Sequence, residues 1–505
     1  MDGEADVKPA KNTSRVALAV GTDPRAWSYR YMFERPGMKG HALDEAIEVL
    51  TQVLLETYGL SLDDVADPSV VSQETVYVVG RICPALTKPD GQGQESKQVR
   101  EARLKDGIII EASKTIGSGS RTPLRFTQSV TLRGIQDGNK KLVHAAGSGN
   151  KLGLVPGMIC AFRGRNGGGD GFVAEEILLP PPLPQAATRA SELIQNQYSP
   201  ARLDGDNLKV TVTSGPYTND DDLDFTPWHR LMDDVERQKP DVILLLGPFL
   251  PASHASLSSP TLQQMPAEIF QQHISRRLNV LCEASTRTTA ILLPSTKDVI
   301  HSHIAWPQPM LEKNVLGLHK RVKCLPNPCL FSINEVVFGA TTADVLRDVR
   351  AEEVVVDVGQ DPSVTVKPAS ETSDAIARSV RVLLGQRSFY PVFPASAASQ
   401  LPLDVTHSSL AQFKTVTPDI LLVPSVLTPF ARIVDGTVCV NPGPLARGSG
   451  EATAPQSRGK GSYARFDIAP MKKDRLRDLE ENSDEAEAPI GHEIYERARV
   501  DLVRI

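Results

Sequence analysis

The side chains of this chain that could do chemistry lie in short runs that follow apolar segments. PSTKDVIHSH carries Asp298, His301 and His303. In an extended segment, residues two apart face the same way, so the two histidines could share a metal, with Asp298 as a third ligand. A metal-dependent phosphoesterase is therefore one reading. A two-metal hydrolase, however, needs Asp, His and Asn ligands converging from several strand ends. The corresponding loops here present Ser214, Gly215 and Pro216, then Gly247 and Pro248, then Pro294 and Ser295, then Pro424 and Ser425. Proline brings no side-chain donor or acceptor, and the plainer reading of His301 and His303 is solvated or interface histidines. The run NDDDLD (219–224) lacks the spacing and the closing Glu of a calcium loop, and reads as a solvated turn. GSGS, GRNGGGDG and RGKGS lack the G-x-x-x-x-G-K-[ST] pattern of a phosphate cradle. Cys324 and Cys329 form one close pair without a second pair or a histidine partner, which is weak ground for zinc. No cofactor is expected.

The elements that would position these residues belong to a chain of 505 residues, enough for about three domains at ~150 residues each, or two larger ones. The net charge of −6 excludes a protein held to nucleic acid mainly by bulk charge. Gly 36 and Pro 38 together exclude an all-helical bundle. No apolar run approaches the ~18 residues of a membrane span. The acidic, polar N-terminus is unlike a signal peptide, and six scattered cysteines read as free, mostly buried thiols of a reducing compartment.

Residues 1–27 read as a disordered tail or linker and 28–69 as a helical lead-in. Leu43, Ala46, Ile47, Leu50, Val53, Leu54 and Tyr58 recur at helical spacing before Gly59. From 70 to 183 the pattern is short apolar bursts between Gly-rich turns, which predicts an OB-type β-barrel. Its aromatics are Tyr77, Phe126, Phe162 and Phe172, too few for a base-stacking platform once some enter the core, so direct DNA contact is expected to be weak. Residues 184–206, entered through PPPLP, read as a linker. Residues 207–505 alternate strands and helices as a layered α/β domain does. Within it, Thr226 as N-cap and Pro227 as first helical residue open a helix, Thr341-x-x-Asp344 is a capping box, and 446–462 and 470–490 read as mobile loops. The overall class is α+β and multi-domain.

Several of these segments carry a resemblance: YRYMFERP (29–36), SGPYTNDDDLDFTPWHRLMDDV, KPDVILLLGPFLPASH, LPSTKDVIHSHIAWPQPML, NPCLFSINEVVFGATTADVLRDV, GQRSFYPVFP, PDILLVPSVLTPFARIVDGTVCVNPG and YERARVDLVRI. Together they resemble the B subunits of DNA polymerase alpha, accessory subunits of the polymerase alpha–primase complex. The resemblance implies a calcineurin-like phosphoesterase fold that is inactive. Active relatives carry Asp-x-His where Ser214-Gly215-Pro216 stands, and Gly-Asp where Gly247-Pro248 stands. Their Gly-Asn-His block corresponds to Leu293-Pro294-Ser295, and their Gly-His-x-His block to the region of Pro424 and Ser425. It also implies a nuclear scaffold in DNA replication. Barrel and phosphoesterase-like domain would clasp the zinc-containing C-terminal domain of the catalytic subunit, with primase attached to the same assembly and DNA contact weak or indirect. Members of the family begin with a small helical domain that recruits other replication factors, and this chain starts in what resembles the linker after it. The equivalent small subunits of polymerase delta and epsilon share the architecture; GQRSFYP and ARVDLVRI favour alpha.

Overall fold

The computed structural model describes residues 14–505 apart from 22, 85–106, 134, 138–139, 143–146, 149–150, 261, 360–374, 447–460 and 482–487. The chain enters through strand β1 (Leu18–Val20) and a turn, Pro24–Trp27, capped by Asp23, with Trp27 buried. Helix α1 (Met38–Tyr58) ends at Gly59, where the periodicity predicts. It lays Ile47, Leu50 and Leu54 on Val79, Ile159 and Leu178 of the barrel that follows.

The barrel strands are β2 (Ser72–Pro84), β3 (Ile108–Ala112), β4 (Arg121–Leu132), β5 (Ile159–Asn166) and β6 (Phe172–Leu178). They close in the order β6-β4-β3-β2-β5, with β6 parallel to β4 and antiparallel to β5. Val78, Ile110, Leu124, Phe162 and Phe172 fill the interior, because alternate residues of each strand point inward.

The stretch read as a linker folds onto the next domain. Helix α2 (Ala190–Tyr198) buries Ala190, Leu193 and Gln197, and Ala187–Thr188 pairs with Ile490–Gly491. Its few apolar contacts, Leu193 with Met471 and Leu476 among them, are too sparse to advertise a helical face in the sequence.

Two six-stranded sheets form the centre of the remaining chain. The first contains β7 (Leu208–Ser214), β8 (Val242–Leu246), β9 (Thr289–Leu293) and β10 (Lys323–Cys324), all parallel. The second contains β11 (Cys329–Ile333), β12 (Val336–Ala340), β13 (Ile420–Leu422), β14 (Phe430–Val434) and β15 (Thr437–Asn441). Two antiparallel strands, β16 (Ser462–Ile468) and β17 (Ala498–Arg504), complete the first sheet beyond β7. The missing edge of the second sheet is β1, which runs antiparallel to β11; residues read as a tail thus supply a strand. Three residues are too few to display a period.

Strand residues alternate between two apolar layers, which is why VILLL reads as an unbroken apolar run. Val242, Leu244 and Leu246 face Phe331, Phe338, Ile420 and Val440 across the sheet–sheet interface. Ile243 and Leu245 face outward onto helix α3 (Thr226–Gln238) and the helical run that follows β8. That run comprises α4 (Pro266–Phe270), a π turn (Gln271–Ser275) and α5 (Arg276–Ala284). On the far side, α6 (Val345–Glu352) and α7 (Ala375–Gly385) cover the second sheet. Their Val345, Leu346, Val380 and Leu383 share one core with Phe162 and Phe172, so the barrel and the α/β domain are packed together. Gln386 reinforces that junction by accepting the Ile159 amide (2.8 Å) and donating to its carbonyl (3.0 Å).

Four local expectations change. Helix α6 is capped by Asp344, which accepts the Arg347 amide at 3.2 Å, while Thr341 bonds Asn327 instead. Helix α3 starts at Thr226, with Phe225 in the cap position. Lys473–Glu481 of the expected 470–490 loop is helix α8, and Ser462 at the end of the other expected loop already belongs to β16. Residues 447–460 and 482–487 of those two loops lie outside the described residues.

Candidate functional site

In α/β sheets, ligands bind in the crevice beyond the carboxyl ends of the parallel strands. Here that crevice is a cleft of about 320 Å³ lined by Ser214, Gly215, Pro216, Gly247, Pro248, Pro424 and Ser425, with Asp220, His254, Lys297 and Asp344 around it. The structure thus brings together seven of the nine positions that the sequence assigns to a lost metal site. Pro294 and Ser295 lie just beneath, behind Gly247, since a Cβ on Gly247 would stand 2.9 Å from the Ser295 Cβ.

The strand ends pack tightly against one another at the floor of this cleft. The Gly215 amide donates to Leu246 and the Gly247 amide to Leu293, so each strand end continues the ladder of its neighbour. A Cβ on Gly215 would overlap the Pro248 carbonyl oxygen, and one on Gly247 would stand 2.5 Å from Asp298 Oδ2. Both positions therefore require glycine for close approach, and both following prolines sit in cis peptides.

Asp298 is buried, and both of its carboxylate oxygens accept backbone amides. Its Oδ1 accepts the amides of Phe249 and Leu250 (3.0 Å for the latter), and its Oδ2 accepts the amide of Ser295 at 3.0 Å. Burial pushes its carboxyl up to about 7, against the pull of these three amides. One carboxylate thereby staples the loops after β8 and β9.

His301 has both ring nitrogens engaged: Nε2 donates to the Pro309 carbonyl (3.1 Å) and Nδ1 accepts the His303 amide (3.0 Å). His303 packs edge-on against Tyr29 (4.8 Å) and Tyr31 (4.9 Å), while Tyr29 stacks on His407 at 3.6 Å. The histidines therefore anchor the YRYMFERP segment. Burial, helped by His301, holds the His303 imidazole down at about 4, and its Nε2 is buried without a partner. The structure does not gather Asp298, His301 and His303 as a ligand set. Among the described residues, no three His, Cys, Asp or Glu side chains converge as a metal site needs.

Sequence reasoning missed the polar braces. Asn441 is fully buried; its Oδ1 accepts the Ser425 and Gly443 amides (3.0 Å each) and its Nδ2 donates to the Ser425 and Leu427 carbonyls. Thr342 donates to the Pro294 carbonyl at 2.9 Å and accepts from Asn327 at 2.7 Å. The turn dipeptides Asn327-Pro328 and Asn441-Pro442 were the available signal.

The barrel offers no stacking platform among the described aromatics. Phe162 and Phe172 are buried, Phe126 packs on Phe162, and the Tyr77 hydroxyl accepts from Arg133 at 2.9 Å. The cysteines are free, and all but Cys83 are buried.

The barrel region and the α/β domain both overlap sequence profiles of DNA polymerase B subunits. The sequence profile of the family described as the DNA polymerase alpha/epsilon B subunit matches residues 210–432. A second profile, for the OB domain of the DNA polymerase alpha B subunit, matches residues 40–136, and the two together span more than half of the chain. The chain is 28% identical over 97% of its length to the DNA polymerase alpha B subunit of Schizosaccharomyces pombe, and 29% identical over 95% to that of Saccharomyces cerevisiae. With the Rattus norvegicus protein it shares 28% identity over 84%. It spans 75%, 66% and 61% of these relatives respectively. The chain belongs to the family of DNA polymerase alpha B subunits.

Proposed function

We propose that this chain is a non-catalytic scaffold of DNA polymerase alpha–primase in the nucleus. In this reading, the barrel and the α/β domain together grip the zinc-containing C-terminal domain of the catalytic subunit, primase joins the same assembly, and DNA contact is weak or indirect. The α/β domain is an inactive phosphoesterase-like fold. The observation that carries the reading is the strand-end cleft, where Gly215, Gly247 and Pro248 crowd together and Asp298, Ser425 and Asn441 are bonded to backbone rather than aimed at a ligand. A shared barrel–domain core supports a rigid platform of the kind a scaffold needs.

The test has two arms. Co-expression with the C-terminal domain of the catalytic subunit is expected to give a stable 1:1 complex through gel filtration, and failure to co-elute at micromolar concentration would overturn the scaffold reading. Incubating the chain with Mn2+ and a chromogenic phosphodiester is expected to give no turnover above buffer. Turnover with stoichiometric metal would restore the phosphoesterase alternative. Pull-down against the tails of the delta and epsilon catalytic subunits separates the three B-subunit types.

A further inference from the structure

Away from the cleft, on the outer face of the first sheet, two histidines meet. His229 lies in the first turns of α3, and His273 lies in the π turn between α4 and α5. A π turn inside a helix is rare and recurs at functional sites. The backbone of His273 is fixed because its carbonyl accepts the Trp228 indole N–H at 3.0 Å, and its ring is fixed by stacking on Phe225, with centroids 4.8 Å apart and planes 15° apart. These supports bring His229 Nε2 to 3.4 Å from His273 Nδ1.

That separation is compatible with two uses. The two rings meet as a hydrogen bond longer than the preferred about 2.9–3.0 Å, with one imidazole donating to the other. Two nitrogens bound at about 2.0–2.1 Å to a tetrahedral ion stand about 3.4 Å apart. Both rings are part-exposed, so an ion can enter from solvent. Burial lowers both imidazoles, assisted by Arg277 at His229 and by His229 at His273, which favours the neutral rings, each with one nitrogen lone pair free of a proton. Asp233 and Asp224 contribute negative potential, and Asp233 is also paired with Arg277 at 2.7 Å.

We propose that His229 and His273 bind a divalent transition-metal ion of the zinc class, which clamps α3 to the π turn. Because no third protein ligand stands near among the described residues, water completes the coordination and the site is one of moderate affinity. The other histidine pair cannot do this, since both His301 nitrogens are engaged.

The experiment uses the full chain stripped with chelator. Zn2+ titration by calorimetry, with thermal unfolding in parallel, is expected to show one saturable equivalent and a rise in the unfolding midpoint. Both are expected to vanish in His229→Gln and in His273→Gln and to persist in His301→Gln. Electron paramagnetic resonance of the unaltered chain with one equivalent of Cu2+ is expected to show coupling to two nitrogens, a readout that does not depend on any variant folding. Unchanged Zn2+ binding in both variants, or a first equivalent of Cu2+ without two-nitrogen coupling, would overturn the proposal.

Discussion

The strand-end cleft and the His229–His273 pair use the same kinds of side chain in opposite ways. In the cleft, Asp298, Asn441 and Thr342 are bonded to the chain's own backbone and hold loops together. In the histidine pair, Trp228 and Phe225 hold His273 in place while its Nδ1 meets only another imidazole at a long distance. Position in a fold therefore does not determine use. The polar groups at the crevice are bonded to backbone, whereas the two imidazoles on the outer helical layer meet each other.

Measured stabilities put this contrast at risk. The largest effect is expected from Asp298→Ala, which strands three buried amide donors and should cost about 4 kcal/mol in urea unfolding. A cost below about 1 kcal/mol would mean the cleft is not stapled as described. Gly215→Ala comes next at about 3 kcal/mol, since its Cβ meets backbone that cannot step aside. The same assay, run on the double variant with Asp298→Ala, should show non-additivity because both act on the loop after β8.

His303 supplies a pH arm. Its folded-state value near 4 lies below its ordinary 6.5, so its contribution is fully present above about 6.5 and is lost as pH falls toward 4. The loss amounts to about 3 kcal/mol at most and should vanish in His303→Phe, as read from unfolding midpoints across that range. Asn441→Ala is expected to cost about 2 kcal/mol by leaving the Ser425 and Gly443 amides unpaired. The smallest effect belongs to the other region: in metal-free buffer, His229→Ala should change stability by less than about 0.5 kcal/mol. A cost comparable to Asn441→Ala would erase the contrast, because the histidine would then be a structural brace as well.

Much of the fold was legible because burial leaves a period in the sequence. VILLL and TAILL announced strands covered on both faces, and the barrel announced itself through apolar bursts between glycine-rich turns. The elements that went unread are the short ones. Leu18–Val20 and Ala190–Tyr198 contribute one strand and a few contacts, and neither has enough residues for a pattern to rise above composition. Thr341 and Asp344 show the same limit at finer scale: both residue types can cap a helix, and only the packing of Thr341 against Asn327 assigns the cap to Asp344.

Residue identity was enough to say which positions could not hold a metal. Proline and glycine at 215, 216, 247, 248, 294 and 424 lack side-chain ligand atoms in any conformation. What the remaining polar groups do was settled by packing. Asp298 and His301 are residue types able to bind a metal, and loops packed on them supply hydrogen-bond partners instead. His229 and His273 stand 44 residues apart in the chain, and only the packing of α3 on the π turn makes them neighbours. Residue type fixes what an atom can bond, whereas the direction and distance at which it meets a partner are fixed by contacts between segments remote in sequence.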